Sequence, residues 1–148
     1  METIKYIRVE PNHAAQIMVS SITDMNAMIG IRPGDILGDN FTKYAFGNQI
    51  ILSNKKAGEF DLPFNRYVRL APDQFVLIPG SFVILNENEN GYCSLTQEEI
   101  NFYMTTFMRP HKFIVIGSKL FIFEIRSETE MNLIRALDIQ QKDQSENE

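Results

Sequence analysis

The sequence predicts an α+β domain with a mainly antiparallel sheet and about three helices. Short β-rich runs recur between turn residues, at Ile4–Val9, Gln16–Val19, Gln49–Ser53, Phe75–Ile78, Ser81–Leu85, Phe113–Ile116 and Lys119–Ile125. Apolar residues take helical spacing in Ile22–Ile29, Gln97–Met108 and the segment after Ser127. No regular strand–helix–strand alternation occurs, which argues against a parallel sheet. With 148 residues, 44% of them hydrophobic and 22% charged, the chain suits one domain over residues 1–140. Residues 141–148 read as a disordered acidic tail.

The opening strand, Ile4 to Val9, ends at Pro11-Asn12, and Gln16–Val19 returns as the second arm of a hairpin around Pro11–Ala15. Ser21 is a candidate N-cap for a short helix whose Met25, Met28 and Ile29 share a face, and Gly30 stops it. Pro33-Gly34 marks a turn before a short strand at Asp35–Leu37, and Asn54–Gly58 is a polar turn after Gln49–Ser53. Asp61–Leu70, carrying Pro63, reads as an extended or loop segment. Pro79-Gly80 marks a bulge or bend between two strands, and Asn90-Gly91 a type I′ turn.

The helix at Gln97–Met108 is the best-signalled element. Thr96 and Glu99 have capping-box spacing, Leu95 and Ile100 sit at the staple positions, and Ile100, Tyr103, Met104 and Phe107 define an inward face. Arg109-Pro110 ends it. Gly117-Ser118 between two apolar runs predicts a hairpin with a type II′ turn. Ser127 and Glu130 form a second capping-box pair ahead of Met131, Ile134 and Leu137 on a final helix.

Charge and cysteine content narrow the setting. Fourteen basic residues against nineteen acidic give a net charge of −5, too acidic for general nucleic-acid binding, which relies on neutralising phosphates. The longest apolar runs have four residues, as at Phe75–Ile78 and Phe113–Ile116, far fewer than the roughly 20 of a membrane helix. Cys93 is the single cysteine, so no internal disulfide forms, and the start lacks a secretory pattern. A cytoplasmic protein is the expectation.

Several stretches resemble the domain-of-unknown-function family 3846, small proteins of bacteriophages and other bacterial mobile elements. They are Arg8-Val9-Glu10-Pro11-Asn12, Ile22–Ile29 closed by Gly30, and Leu62-Pro63-Phe64-Asn65-Arg66 after the polar turn. Pro79-Gly80-Ser81-Phe82-Val83-Ile84 and Ser94-Leu95-Thr96-Gln97-Glu98-Glu99-Ile100 follow in the same order. Together they span residues 3–108, leaving 111–140 as an added hairpin and helix. The resemblance implies a phage or mobile-element setting inside a bacterial host cell and supplies no catalytic residues.

The residues themselves offer little catalytic chemistry. His13 and His111 are the only histidines, each in a loop beside a strand, and Cys93 lies just before a helix cap. No metal-ligand spacing occurs, Asn86–Asn90 lacks the aspartates and closing glutamate of a calcium loop, and the eight glycines are scattered. No enzyme, metal or cofactor is expected. The polar stretch that draws notice is Asn65-Arg66-Tyr67-Val68-Arg69, with Lys55 and Lys56 upstream. There Asn65, Arg66, Tyr67 and Arg69 are candidates to hold an anionic, nucleotide-like ligand or a partner by charge-assisted bonds and stacking. The plainer alternative has Asn65 capping a turn while the arginines pair with surface carboxylates. Met25/Met28 and Met104/Met108 read as core or interface filler.

The expected function is a non-enzymatic binding protein that engages a host protein and modulates host functions or defence. A nucleotide-sequestering protein and a structural homodimer joined through a sheet edge are the alternatives. A flat apolar patch would favour the protein partner, and a polar cleft the small ligand.

Overall fold

The structure, a computed structural model, describes residues 3–21, 41–54, 64–130, 132–133 and 135–136. The elements run β1 (Ile4–Val9), β2 (Gln16–Ser20), β3 (Phe41–Phe46), β4 (Gln49–Asn54), β5 (Phe64–Ala71), β6 (Gln74–Pro79), β7 (Phe82–Asn88) and β8 (Gly91–Cys93). Helix α1 (Gln97–Thr106) and the hairpin β9 (His111–Ile116)–β10 (Lys119–Glu124) follow. A second helix starts at 128, its first turn capped by the Ser127 hydroxyl, which accepts the Glu130 N–H at 3.2 Å. The expected α+β fold with a mainly antiparallel sheet is present, with two helices among the described residues instead of about three. The helix expected at Ile22–Ile29, the strand at Asp35–Leu37, the turn beyond Asn54 and Met131, Ile134 and Leu137 lie outside the described residues. No helix among the described residues is long and apolar enough to cross a membrane.

Six strands form the main sheet in the order β2-β1-β7-β4-β3, with β8 on the C-terminal part of β7. Every pairing is antiparallel. The central strand β7 carries the run Phe82-Val83-Ile84-Leu85, and all four side chains are buried. A continuous apolar run is what a strand covered on both faces requires. Phe82 and Ile84 join Ile7, Val9 and Ile51 in the main core, while Val83 and Leu85 join Ile4, Tyr6 and Leu52 on the opposite face. The same period of two explains why β1 shows adjacent apolar residues at Tyr6 and Ile7 without a bulge.

The main core is closed by α1 and by the β5–β6 hairpin, which among the described strands pairs only with itself and contributes Val68 and Ile78. Pro79-Gly80 is therefore more than a bend: the chain leaves one sheet there and enters another. Gly80 adopts φ 70°, a left-handed conformation that a side chain would strain. Helix α1 has the expected capping box, with Thr96 Oγ1 accepting from Glu99 N–H at 3.2 Å and Glu99 accepting from Thr96 N–H at 2.8 Å. Ile100, Tyr103 and Phe107 are buried as expected, and Met104 packs against them.

Two strands go beyond the expectations and two expectations need correction. β3 occupies a stretch for which no element is expected above, although Thr42, Tyr44 and Phe46 alternate ahead of Gly47-Asn48, a two-residue hairpin signal. Of the two readings of Asp61–Leu70, extended or loop, the extended one holds from Phe64 onward, because a proline just before a strand does not prevent pairing after it. α1 stops at Thr106 rather than Met108, leaving Met108 exposed. Finally, Asn90 does not have the positive φ that a type I′ turn demands; Gly91 alone takes it, at 118°. The Gly117-Ser118 turn does match type II′, with φ 65° at Gly117 and a negative φ at Ser118.

Candidate functional site

Strand β5 is irregular where the candidate residues lie. Phe64 pairs with Pro79 and Arg66 with Ile78, so Asn65 is an extra residue in a bulge. The bulge interrupts the period of two. Asn65 and Arg66, though adjacent, are both fully buried, while Phe64 and Tyr67 are both exposed. Beyond it the alternation resumes, with Val68 inside and Arg69 outside.

The inward pair forms a polar latch. The Asn65 carboxamide donates to the Val9 carbonyl at 2.8 Å and the Gly80 carbonyl at 2.9 Å, joining β1 to the crossover between sheets. Its Oδ1 accepts from Arg66 Nη1 at 2.8 Å, and that same nitrogen reaches the Asn65 carbonyl at 3.1 Å. Arg66 Nη2 donates to His13 O at 2.5 Å and lies 3.4 Å from Phe107 O. Phe107 is the C-cap of α1, a helix with no basic residue in its last turn. Arg66 therefore places a cation at the helix end from a distant strand, where the macrodipole favours it. Burial pushes its pKa down to about 10, so the guanidinium stays charged at neutral pH. Its Nε has no partner among the described residues.

This geometry divides the Asn65–Arg69 stretch, with Asn65 and Arg66 inside and Tyr67 and Arg69 outside. Arg66 and Arg69 do not share a patch, because one side chain is inside and the other outside. Among the described residues Arg66 bonds to carbonyl oxygens and to no carboxylate, and Asn65 bridges β1 and the Gly80 crossover instead of capping a turn. Lys55 and Lys56 lie outside the described residues.

Tyr67 and Arg69 do remain on the surface, and they meet Phe75 from β6. Tyr67 and Phe75 stack with centroids 5.0 Å apart and planes within 5°. The Arg69 guanidinium sits 5.9 Å from the Phe75 centroid and donates to Pro72 O at 3.2 Å. Phe64, Tyr67 and Phe75 are 46%, 42% and 48% exposed. The C-terminal hairpin extends this surface. Phe64 packs against Phe113 at 5.6 Å, and the Tyr67 N–H donates to His111 Nδ1 at 3.1 Å. Val115 and Leu120, partners across β9–β10, are exposed farther along. His111 titrates below the usual imidazole value because it is desolvated and faces Arg66, with Glu124 opposing in part.

Where the hairpin meets the β1–β2 loop there is a cleft of about 190 Å³ lined by Asn12, Phe64, His111, Lys112 and Phe113. Asn12 holds φ 66° at its rim, a conformation that asparagine tolerates better than most residues.

A second polar network lies at the other end of α1. Tyr103 donates to Gln49, whose amide donates to Glu99 and, at 3.1 Å, to Asn86 Oδ1. Asn86 in turn donates to Glu99 at 2.8 Å. Its donors and acceptors answer one another, as in a structural joint between α1, β4 and β7. Cys93 is half-buried on β8 and bonds to neither histidine. The Asn86–Asn90 segment is an ordinary hairpin, with Asn88 Oδ1 accepting from Asn90 N–H at 2.8 Å. No metal-ligating cluster exists among the described residues.

Sequence reading missed Phe64, Phe75, Phe113 and His111 as surface partners. Their grouping depends on the Arg69–Phe75 register and on the docking of β9 against β5, which no local pattern encodes. Comparisons with family models, curated proteins and solved structures find no match to this chain, so the resemblance to family 3846 gains nothing from them.

Proposed function

We propose that this chain is a non-enzymatic protein-binding module whose contact surface is the outer face of β5–β6 and the adjoining face of β9–β10. The observation that carries this reading is the joint exposure of Phe64, Tyr67 and Phe75 on one hairpin. Single exposed apolar residues are ordinary, whereas a contiguous group marks an interaction surface. Tyr, Phe and Arg are also the residues enriched in interface cores. Ring contacts between Tyr67 and Phe75 and between Phe64 and Phe113 hold the group in place before binding. Less side-chain freedom is then lost on association.

The neighbouring cleft favours a protein partner over a nucleotide, because about 190 Å³ falls below the roughly 300–1,000 Å³ typical of small-molecule sites. Following the family resemblance, we place the partner among the proteins of a bacterial host. Crosslinked capture from the native cell, with wild type beside a Tyr67→Glu/Phe75→Glu variant, tests the reading. The wild type should recover a defined polypeptide that the variant loses while its thermal midpoint is retained. Recovery of the same polypeptide by both would reject this surface, and a self-crosslinked dimer would favour the homo-oligomer.

A further inference from the structure

We propose that His111 is a pH-operated catch, which holds the β9–β10 hairpin against β5 while its imidazole is neutral and releases it on protonation. The inference stands on the fold and needs no particular partner.

The hairpin has a small core of its own. Among the described strands β9 and β10 pair only with each other, and Ile114 and Ile125 cluster with Ile116 and Phe123, apart from the main core. The Phe64–Phe113 ring pair and the bond from the Tyr67 N–H to His111 Nδ1 at 3.1 Å fasten it to β5. An element built this way opens as a unit, at lower cost than the main sheet.

The bond to Tyr67 fixes the tautomer. A backbone N–H needs a lone pair, so Nδ1 is bare and the ring proton sits on Nε2. Protonation makes both ring nitrogens donors and sets the Tyr67 N–H against another N–H. The bond lies at the surface, so water satisfies the freed Tyr67 N–H once the strands part.

A replacement acceptor lies within the hairpin. Glu124 stands directly opposite His111 in the β9–β10 register, on the same face. Its carboxylate meets Arg109 at 3.3 Å in an exposed pair, the kind that exchanges easily. An imidazolium is thus drawn to Glu124 and repelled by Arg66 of β5. Lys112 belongs by register to the other face of the hairpin. Across the cleft, Glu10 is engaged by Arg8 at 2.5 Å, and His13 bonds to Pro11 O at 2.9 Å. Burial first and Arg66 second hold the docked imidazole below its ordinary 6.5, with Glu124 opposing. Docking is therefore complete above pH 6.5 and is lost as pH falls through the lowered value. On the protein-binding reading, the same step parts the two halves of the contact surface.

Proton NMR and amide hydrogen exchange on the full chain, between about pH 8 and 5, test the catch. As the His111 ring titrates, the Overhauser contacts between Phe64 and Phe113 should vanish. Protection of the Tyr67 amide should fall with them, by no more than about ten-fold per pH unit for one proton. The amides of β1 and β7 should stay protected. In His111→Asn, whose Oδ1 takes the place of Nδ1, the Phe64–Phe113 contacts should persist throughout. In Glu124→Gln the transition should move to lower pH, and an unmoved midpoint would overturn the exchange of partners. Contacts that outlast the imidazole titration in the wild type, or a transition unchanged in His111→Asn, would overturn the catch. So would loss of β1–β7 protection in the same step, which is global unfolding.

Discussion

Removing the buried latch should destabilise the protein more than any surface change. In Asn65→Ala, the Val9 and Gly80 carbonyls lose their donors and Arg66 loses an acceptor, all inside the protein. Stranding a buried polar group costs about 1–3 kcal/mol, and the two carbonyls retain other capacity, so a total near 3 kcal/mol is expected. In Arg66→Met, four contacts vanish, of which the one to Phe107 at 3.4 Å is weak. The gain from no longer burying a guanidinium offsets part of this loss, leaving about 2–4 kcal/mol. Because Nη1–Oδ1 is lost in both variants, the double variant should fall short of the sum by about 1–2 kcal/mol. Urea denaturation followed by far-ultraviolet circular dichroism measures all three. With a slope of about 2 kcal/mol/M, each single variant should move the midpoint by about 1–2 M. A loss below about 0.5 kcal/mol for Arg66→Met, or strict additivity, would refute the latch.

Two further predictions concern titration and capping. His111 is held below its ordinary 6.5 by burial first and Arg66 second, and its Nδ1 accepts a hydrogen bond that a proton would displace. Its contribution to stability is therefore complete above pH 6.5 and lost as pH falls through the folded value. Imidazole NMR titration should place the midpoint under 6.5, and stability between pH 7 and 5 should flatten in His111→Gln. Glu99 is held below its ordinary 4.5, chiefly by the Thr96 N–H, so its contribution is present above that value and lost as pH falls through the lowered one. Thr96→Ala should cost about 1 kcal/mol by urea denaturation, and a loss no larger than that of Thr105→Ala would argue against the cap.

What was legible in the sequence was local. The capping box at Thr96 and Glu99, the Gly117 turn and the fully apolar β7 each state their geometry within a few residues. The Asn65 site was not legible, although the stretch drew notice. A bulge shifts the inside–outside pattern by one residue, and only the pairing of Phe64 with Pro79 and Arg66 with Ile78 reveals it. Without that register, two arginines beside a tyrosine look like one surface patch. The partners of Arg66 are backbone carbonyls at His13 and Phe107, distant positions with no side-chain signature. Aromatic residues at Phe64, Phe75 and Phe113 read as core by composition, and only the docking of the last hairpin sets them side by side on the surface.

The bulge thus turns β5 two ways, with the Asn65–Arg66 latch facing inward and the proposed contact surface facing out. The most direct test of the outer role is calorimetric titration of the captured partner against wild type, Phe75→Glu and Val19→Lys. Val19 is an exposed residue of the edge strand β2 and serves as the control. Phe75→Glu should weaken binding by at least about 30-fold, as expected for a hot-spot aromatic, with Val19→Lys unchanged. Unchanged affinity in Phe75→Glu, or loss in Val19→Lys alone, would contradict the assignment of this face.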